Sequence, residues 1–329
     1  LLALAQAGSR RPGTAGQDIG DGADGQLLDV ISTNGVEMPD GSVAVCRLVS
    51  RANHSCQPNC MILPEVAEPP APQPRCRRRC RRGGDGTQAA GERNGVLRLV
   101  ACRPLSSGEE ILISYIGQED LLLPARSRRR RLLHGPWGFE CHCSRCRAPD
   151  DVRGLRCPAC LEGVVRPRPA GGADDGDEAE VPAPCARCGA HVPSALWRRW
   201  LRREATWAAR WRALDGAGAE GDTLVCQLLA HMLDARDHSG VLPDTSGHWL
   251  LGLASLRAAQ AHLGAGRLRA AEGASRRFAA FVRSSLRCDL SPLLADAMEL
   301  RALSALQRGE RLLADRTGRR CSAARAFAV

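Results

Sequence analysis

Asn-His-Ser-Cys-Gln-Pro-Asn-Cys, residues 53–60, is the most informative stretch of this 329-residue chain. Two later stretches belong with it: Gly-Glu-Glu-Ile-Leu-Ile-Ser-Tyr at 108–115 and Phe-Glu-Cys-His-Cys-Ser-Arg-Cys at 139–146. The chain contains four Asn and one Tyr, so the two Asn of the first stretch and Tyr115 at the end of the second are informative. The close spacing of three Cys in the third stretch is typical of a metal site.

The composition excludes some classes of protein. Forty-six basic residues, all of them Arg, against 36 acidic residues give a formal net charge of +10. No run approaches the ~18–20 consecutive apolar residues of a membrane-spanning helix, so we expect no membrane segment. The basic runs at 75–82 and 126–131 lack interleaved aromatic residues, which argues against direct nucleic-acid binding. They are interpreted as solvated surface, with a localisation signal or an acidic partner as the alternative.

Seven of the sixteen cysteines fall in tight clusters, which favours metal binding in a reducing compartment, the nucleus or the cytoplasm. The clusters are Cys141-x-Cys143-x2-Cys146, Cys157-x2-Cys160 and Cys185-x2-Cys188. The last two form a complete CxxC…CxxC set with zinc-ribbon spacing, and we expect them to bind zinc, with His191 as the alternative to Cys188. The first cluster supplies three thiolates and needs a fourth ligand from elsewhere.

Shifts in composition divide the chain into four predicted parts. Residues 1–26 form a low-complexity segment, and residues 27–138 form a strand-rich part with a disordered insertion at about 64–95. Residues 139–192 form the cysteine region, and residues 193–329 form a helical domain. Within the second part, short apolar runs at 27–31 and 43–46 are separated by turn signals. Strands are expected at 96–100 and 110–116, and a helix at 121–133.

The helical domain is predicted from long apolar periods. Ser194 is a plausible N-cap, and Trp197, Trp200, Trp207 and Trp211 fall on one stripe that we expect to be core. The helical pairing is weakly similar to tetratricopeptide hairpins, and a generic bundle fits as well. Further helices are predicted at 223–236, 248–263, 268–286 and 292–307.

In their order and spacing, the three stretches resemble the SET-domain protein lysine methyltransferases. The cysteine region and the helical tail look specifically like the SET-and-MYND branch. The resemblance implies an α+β protein: the carboxyl-terminal part of a β-rich SET fold with a post-SET zinc site, a zinc-ribbon-like segment and an α-helical domain. SET domains open with a Gly-x-Gly strand, and this branch adds a MYND zinc module. The sequence shows neither, so we expect a chain that lacks both.

The resemblance also assigns roles around S-adenosylmethionine, the implied cofactor. Asn53 and His54 correspond to the pair that hydrogen-bonds the cofactor, and Asn34 corresponds to an asparagine of an upstream strand near it. Phe139 corresponds to the aromatic residue that packs on the adenine. Tyr115 corresponds to the catalytic tyrosine whose hydroxyl orients the substrate amine.

Further assignments concern the metal and the substrate channel. The resemblance supplies Cys56 as the fourth zinc ligand beside Cys141, Cys143 and Cys146, and His142 is the alternative. Trp137 stands about where the family channel has Tyr, and Val36 where it often has Phe, so we expect a channel of different shape.

The implied function is methylation of a lysine in a histone tail or another protein. The alternative is a catalytically inactive, zinc-stabilised scaffold or fragment whose helical domain binds a partner peptide.

Overall fold

The computed structural model describes residues 23–37, 42–65, 96–169, 180–214, 218–234, 243–287, 291–310 and 317–319. These residues belong to two units, Leu1–Ser50 and Arg51–Val329. Most of the predicted insertion at 64–95 and most of the acidic linker lie outside the described residues. Within the described ranges, no helix is both long and apolar enough to cross a membrane.

The described part of the first unit is a helix followed by a small sheet. Its elements are helix α1 (Ala23–Asn34) and the antiparallel strands β1 (Gly35–Glu37) and β2 (Val43–Val45). The short apolar run at 27–31 lies within α1, since such a run fits either a helix or a strand. The Ser32 and Thr33 hydroxyls donate to the Asp29 carbonyl at 2.9 and 2.6 Å, a bonding pattern that helical spacing permits.

The strands of the second unit form small separate sheets among the described residues. They are β3 (Asn53–His54), β4 (Cys60–Glu65), β5 (Val96–Ala101), β6 (Leu112–Ile113), β7 (Arg153–Arg156), β8 (Val164–Val165), β9 (Pro167–Pro169), β10 (Glu180–Pro182) and β11 (Pro243–His248). Strands β3 and β6 pair in parallel, β4 and β5 antiparallel, and β9 and β10 antiparallel, while β7 lies between β8 and β11.

The predicted strand at 96–100 is confirmed as β5, but the one at 110–116 is reduced to two residues. The ladder ends because the Tyr115 amide donates to the ring of His54 rather than to a neighbouring strand. Pairing of β3 with β6 nevertheless brings the stretch at 53–60 beside the stretch at 108–115.

The helices of the second unit follow the prediction closely in the carboxyl-terminal part. They are α2 (Gln118–Leu121), α3 (Ala125–Leu133), α4 (Ser144–Arg147), α5 (Ser194–Ala213), α6 (Gly218–Leu233), α7 (Trp249–Gly264), α8 (Leu268–Leu286) and α9 (Pro292–Gln307). The predicted helix at 121–133 is interrupted before Ala125, because Pro124 has no amide hydrogen to continue it. Ser194 begins α5, but Pro193 occupies the cap position and no side chain caps the helix.

Helix packing explains the pattern of apolar residues. Trp197, Trp200 and Trp207 are buried on one face of α5, which confirms the predicted core stripe. Helices α7 and α8 approach closely at Gly252, where a methyl group would overlap the ring of Phe281. The strands and the helices together confirm the predicted α+β class.

One hydrophobic core contains both cysteines and residues of the helical part. Cys56, Cys141 and Cys146 belong to the same buried cluster as Phe278 and Phe281 of α8. Residues from α9 complete it, so the region around these cysteines depends on packing against the last helices.

A buried ion-pair network joins α5 to the sheet of β7, β8 and β11. Arg153 donates to both carboxylate oxygens of Glu204, at 2.9 and 3.0 Å from Nε and 2.6 Å from Nη2, and to Glu180 at 2.6 Å. The Trp249 indole donates to Glu204 at 3.0 Å, and His248 Nε2 lies 3.5 Å from the same carboxylate. Burial alone raises the pKa of Glu204, but His248 and Arg153 outweigh it and hold that pKa at about 2.

We expect Glu204→Gln to lower the free energy of unfolding by about 3 to 5 kcal/mol, because Arg153 would keep its buried charge without its main partner. Urea unfolding followed by tryptophan fluorescence measures this. Glu220→Gln on the exposed surface of α6 is the control and should change the stability by less than about 0.5 kcal/mol. Equal effects of the two substitutions would contradict the structural role of the network.

Candidate functional site: an aromatic group beside two cysteine clusters

Asn59 holds the 53–60 loop against the start of β6. Its side chain accepts from the Leu112 amide at 2.8 Å and donates to the Glu110 carbonyl at 2.8 Å. The Ser55 amide donates to the Ile113 carbonyl at 2.9 Å. Asn59 is 3% exposed, so these bonds compete little with water and fix the position of the loop.

Tyr115 is tied to the same loop through both its backbone and its side chain. Its amide donates to His54 Nδ1 at 3.0 Å, and its hydroxyl donates to the Ala52 carbonyl at 2.9 Å. Because Nδ1 accepts, a neutral His54 carries its hydrogen on Nε2, which lies 3.4 Å from Cys56 Sγ. Burial raises the pKa of the Tyr115 hydroxyl, so this group stays protonated at neutral pH.

Four predicted site residues come together as an aromatic group. The Tyr115 ring lies 5.3 Å from the ring of His54, 5.8 Å from that of Trp137 and 6.3 Å from that of Phe139. The Phe139 ring meets the rings of Tyr115 and His54 edge to face, a favourable geometry for aromatic pairs. Gly138 takes a φ of +63°, which turns the chain between Trp137 and Phe139.

Three other predicted site residues, Asn53, Asn34 and Val36, do not belong to the aromatic group. The Asn53 side-chain amide donates to the Glu110 carboxylate at 2.6 Å. Asn34 lies at the end of helix α1, not on a strand as the resemblance implied, and its side-chain amide donates to the Val30 carbonyl at 3.1 Å. Val36 lies on β1. Asn34 and Val36 belong to the first unit, and their assigned roles stay predictions.

The first cysteine cluster consists of Cys56, Cys141, Cys143 and Cys146. Their sulfur atoms all lie within 4.8 Å of one another. Cys56 Sγ is 3.9 Å from that of Cys141 and 3.5 Å from that of Cys146, too far for a disulfide bond. Four thiolates bound at ~2.3 Å around a tetrahedral zinc ion are separated by ~3.8 Å, so this donor set fits such an ion.

Hydrogen bonds among the sulfurs perturb the thiols strongly. Those involving Cys143, Cys146 and Cys56 hold the pKa of Cys141 well below its ordinary value. Hydrogen bonds to Cys141, Cys143 and Cys56 raise the pKa of Cys146. The cluster shares protons that a bound metal ion would displace.

Two buried arginines lie beside this cluster. Arg145 donates to the Cys56 carbonyl and to the Asp151 carboxylate, both at 2.8 Å. Burial by itself lowers the pKa of Arg128, but Asp150, Asp151 and the Cys56 and Cys146 sulfurs outweigh it and raise that pKa.

The second cluster contains Cys157, Cys160, Cys185 and Cys188, whose sulfurs also lie within 4.8 Å of one another. The Cys157–Cys188 and Cys160–Cys185 sulfur separations are 3.7 and 3.8 Å, again near the tetrahedral value. The two CxxC turns have matching geometry. The amides of Leu161 and Gly189 donate to the Cys157 and Cys185 carbonyls at 2.9 Å, with φ values of +60° and +71°.

Gly163 lies in direct contact with this second cluster. Its amide donates to Cys160 Sγ at 3.2 Å, and a methyl group in its place would overlap Cys185 Sγ. The structure therefore requires glycine here for close approach of the backbone to the sulfurs.

Neither of the histidine alternatives joins a cluster. His142 and His191 are exposed, and each candidate metal group among the described residues consists of four cysteines.

A separate cavity of about 180 Å³ is lined by residues that precede and follow Tyr115 in the chain. Ser114, Ile116, Met61 and Leu286 contribute to its mainly apolar walls.

Sequence comparison connects this arrangement to a known domain. Residues 25–116 match the SET domain. The chain is 30% identical over 98 residues to "Histone-lysine N-methyltransferase SET5" of Meyerozyma guilliermondii and 30% identical over 115 residues to "Histone-lysine N-methyltransferase SMYD3" of Mus musculus. It is 29% identical over 121 residues to "SET domain and MYND-type zinc finger protein 6" of Schizosaccharomyces pombe.

These alignments cover 30%, 35% and 36% of the chain, in the order SET5, SMYD3 and the fission-yeast protein. They span only 14%, 19% and 18% of the relatives. Residues 25–116 are therefore similar to a SET domain. The SMYD-named and SET-and-MYND relatives support the branch that the ordered motifs indicated.

Three side chains with clear roles in the geometry were missed by sequence reasoning. Asn59 fixes the loop, Arg128 lies close to the sulfurs of the first cluster, and Arg145 donates to the Cys56 carbonyl. Asn59 had a usable signal, because it is one of four Asn in the chain and lies in the most informative stretch. Arg128 and Arg145 had none, since basic residues are numerous throughout the sequence.

If each cysteine cluster holds one metal ion, we expect Gly163→Ala to lower the metal content by about one ion per chain, because its methyl group would displace a cluster sulfur. Elemental analysis of the purified protein measures the metal content. Gly264→Ala is the matched control, since a methyl group there meets no atom within 4 Å, and it should retain both ions. Full metal content in Gly163→Ala would show that the second cluster tolerates the added methyl group.

Proposed function

We propose that this chain is a protein-lysine N-methyltransferase that uses S-adenosylmethionine. The observation that carries the proposal is the meeting of His54, Tyr115 and Phe139 in one aromatic group. These residues come from three separate motifs. The named methyltransferases among the relatives support the same class of reaction.

Tyr115 is the proposed catalytic residue. Its hydroxyl hydrogen is donated to the Ala52 carbonyl, so the oxygen keeps lone pairs that can accept a hydrogen bond from a substrate amine. A fixed acceptor orients the amine for in-line attack, and orientation is the main requirement of a displacement reaction. Because burial raises the pKa of this hydroxyl, Tyr115 would act as an orienting group and not as a base at neutral pH.

S-adenosylmethionine supplies the activated methyl group when it is bound. We assign Asn53, His54 and Phe139 to its binding. The edge of the aromatic group at Phe139 offers a ring for stacking on a purine. Trp137, beside Tyr115, would line the substrate channel. The roles that the resemblance gives to Asn34 and Val36, in the first unit, stay predictions.

The two cysteine clusters are proposed as structural zinc sites. All four ligand positions of each are filled by protein sulfur, which leaves no open position for a substrate. The first site would fix the loop that carries Asn53 and His54 relative to the segment that carries Phe139. The substrate is proposed to be a lysine of a histone tail or of another protein.

The 329 residues contain no lysine, so the acceptor must lie outside them. This chain therefore provides a clean background in a transfer assay. Labelled methyl groups that remain with the separated substrate report on that substrate, and automethylation at a lysine of these residues cannot contribute.

We expect Tyr115→Phe to reduce methyl transfer from labelled S-adenosylmethionine to core histones by about a hundredfold or more, because the amine would lose its orienting group. Cofactor binding, followed by calorimetric titration, should stay within about threefold of the parent value. Unchanged transfer by Tyr115→Phe would contradict the assigned role.

Phe139→Ala is expected to have the complementary effect. Loss of the stacking ring should weaken binding of S-adenosylmethionine by about tenfold or more while the metal content stays the same. If the folded, metal-loaded parent chain binds no S-adenosylmethionine, the alternative of an inactive scaffold is favoured.

A further inference from the structure

A polar cavity of about 490 Å³ lies on the second unit, apart from the aromatic group. Its walls come from the 53–60 loop, from the segment that contains α4 and from the residue between β8 and β9. Strand β11 and the end of α8 complete them. The described lining residues are Gln57, Ser144, Arg145, Ala148, Pro149, Asp151, Arg166, Gly247, Ser284 and Arg287.

The charge of this lining is unbalanced. It contains three guanidinium groups and one carboxylate, that of Asp151, which leaves an excess of two positive charges. Arg145 and Asp151 already pair with each other at 2.8 Å. The excess therefore comes from Arg166 and Arg287, and neither forms an ion pair with another described residue.

Two of these arginines also have unused hydrogen-bond donors. Arg145 is 5% exposed, and its Nε and Nη1 are bonded to Asp151 and Cys56, but its Nη2 has no partner. Arg166 Nε is likewise buried without a partner. A buried donor without an acceptor costs free energy, and an anion in the cavity would supply acceptors after small rotations of the guanidinium groups.

The third arginine is held in a strained conformation. Arg287 ends α8 with a φ of +51° and a ψ of +32°, a region that favours glycine. Its exposed guanidinium lies at the cavity, where it also offsets the negative end of the helix dipole.

We propose that this cavity binds a phosphate group. A phosphate monoester carries a charge of about −1.5 to −2 at pH 7, which matches the excess of two positive charges better than a single carboxylate does. Guanidinium groups bind phosphate through paired, charge-assisted hydrogen bonds. The volume exceeds that of one phosphate ion and leaves room for the residue that carries it.

The test is calorimetric titration of the metal-loaded 329-residue chain with inorganic phosphate, with a phosphoserine peptide and with the same peptide unphosphorylated. The first two ligands separate free phosphate from phosphate carried on a protein. We expect at least one phosphate-containing ligand to bind and the unphosphorylated peptide not to bind. Tighter binding of the phosphopeptide than of inorganic phosphate would assign the site to a phosphorylated partner.

Arg166→Gln should weaken the binding of phosphate by about tenfold or more, the usual effect of losing a charge-assisted bond. Arg168→Gln is the matched control, because Arg168 is exposed on β9, only two residues away, and does not line the cavity. It removes the same charge and should change the affinity by less than about twofold.

Two results would overturn the proposal. One is the absence of phosphate-dependent binding to the folded chain with its metal content intact. The other is equal weakening by Arg166→Gln and Arg168→Gln, which would indicate attraction to the general positive charge. Circular dichroism and metal content of each variant exclude misfolding as the cause of lost binding.

Discussion

The convergence of Cys56 with Cys141, Cys143 and Cys146 joins segments about 85 residues apart in the chain. His54 is two residues from Cys56, and Phe139 is two residues from Cys141. Because His54 and Phe139 both lie close in sequence to cysteines of this cluster, the geometry of the aromatic group depends on the sulfur positions. Arg145 strengthens the constraint through its bond to the Cys56 carbonyl.

Buried charge is a second theme of the structure. Arg128 lies close to the sulfurs of the first cluster, Arg145 pairs with Asp151, and Arg153 pairs with Glu204 between α5 and the adjoining sheet. Such groups are expensive to desolvate, so each must be matched in place. In a chain whose basic residues are all Arg, buried pairing depends on guanidinium groups, whose planar geometry suits two-point contacts with carboxylates.

The helices were the easiest part of the fold to predict from the sequence. Helices α8 and α9 end where the apolar period ends, because long amphipathic segments carry their own signal. The strands were harder. Residues 27–31 form a helix, and β6 is short because the His54 ring takes the Tyr115 amide, a contact between residues 61 positions apart. No local pattern contains that information.

Much of the candidate site could be located from motif order alone. The two sulfur groups, Tyr115, Trp137 and Phe139 come together with His54 as their motifs suggested. The residues that surround these groups could not be predicted. Asn59, Arg128 and Gly163 act through contacts that only the tertiary fold brings together. Asn34 ends a helix and does not lie on a strand, because a motif gives order along the chain but not the type of local structure.

The hydrophobic core that contains Cys56, Cys141 and Cys146 together with Phe278 and Phe281 limits how the chain can be divided. The composition of the sequence changes near residue 193, yet residues on both sides of that position bury one another. Proteolysis there would leave two fragments that each expose apolar surface, so they should remain associated after cleavage. In evolution, exchange of the helical part for another would require matched changes around the cysteines.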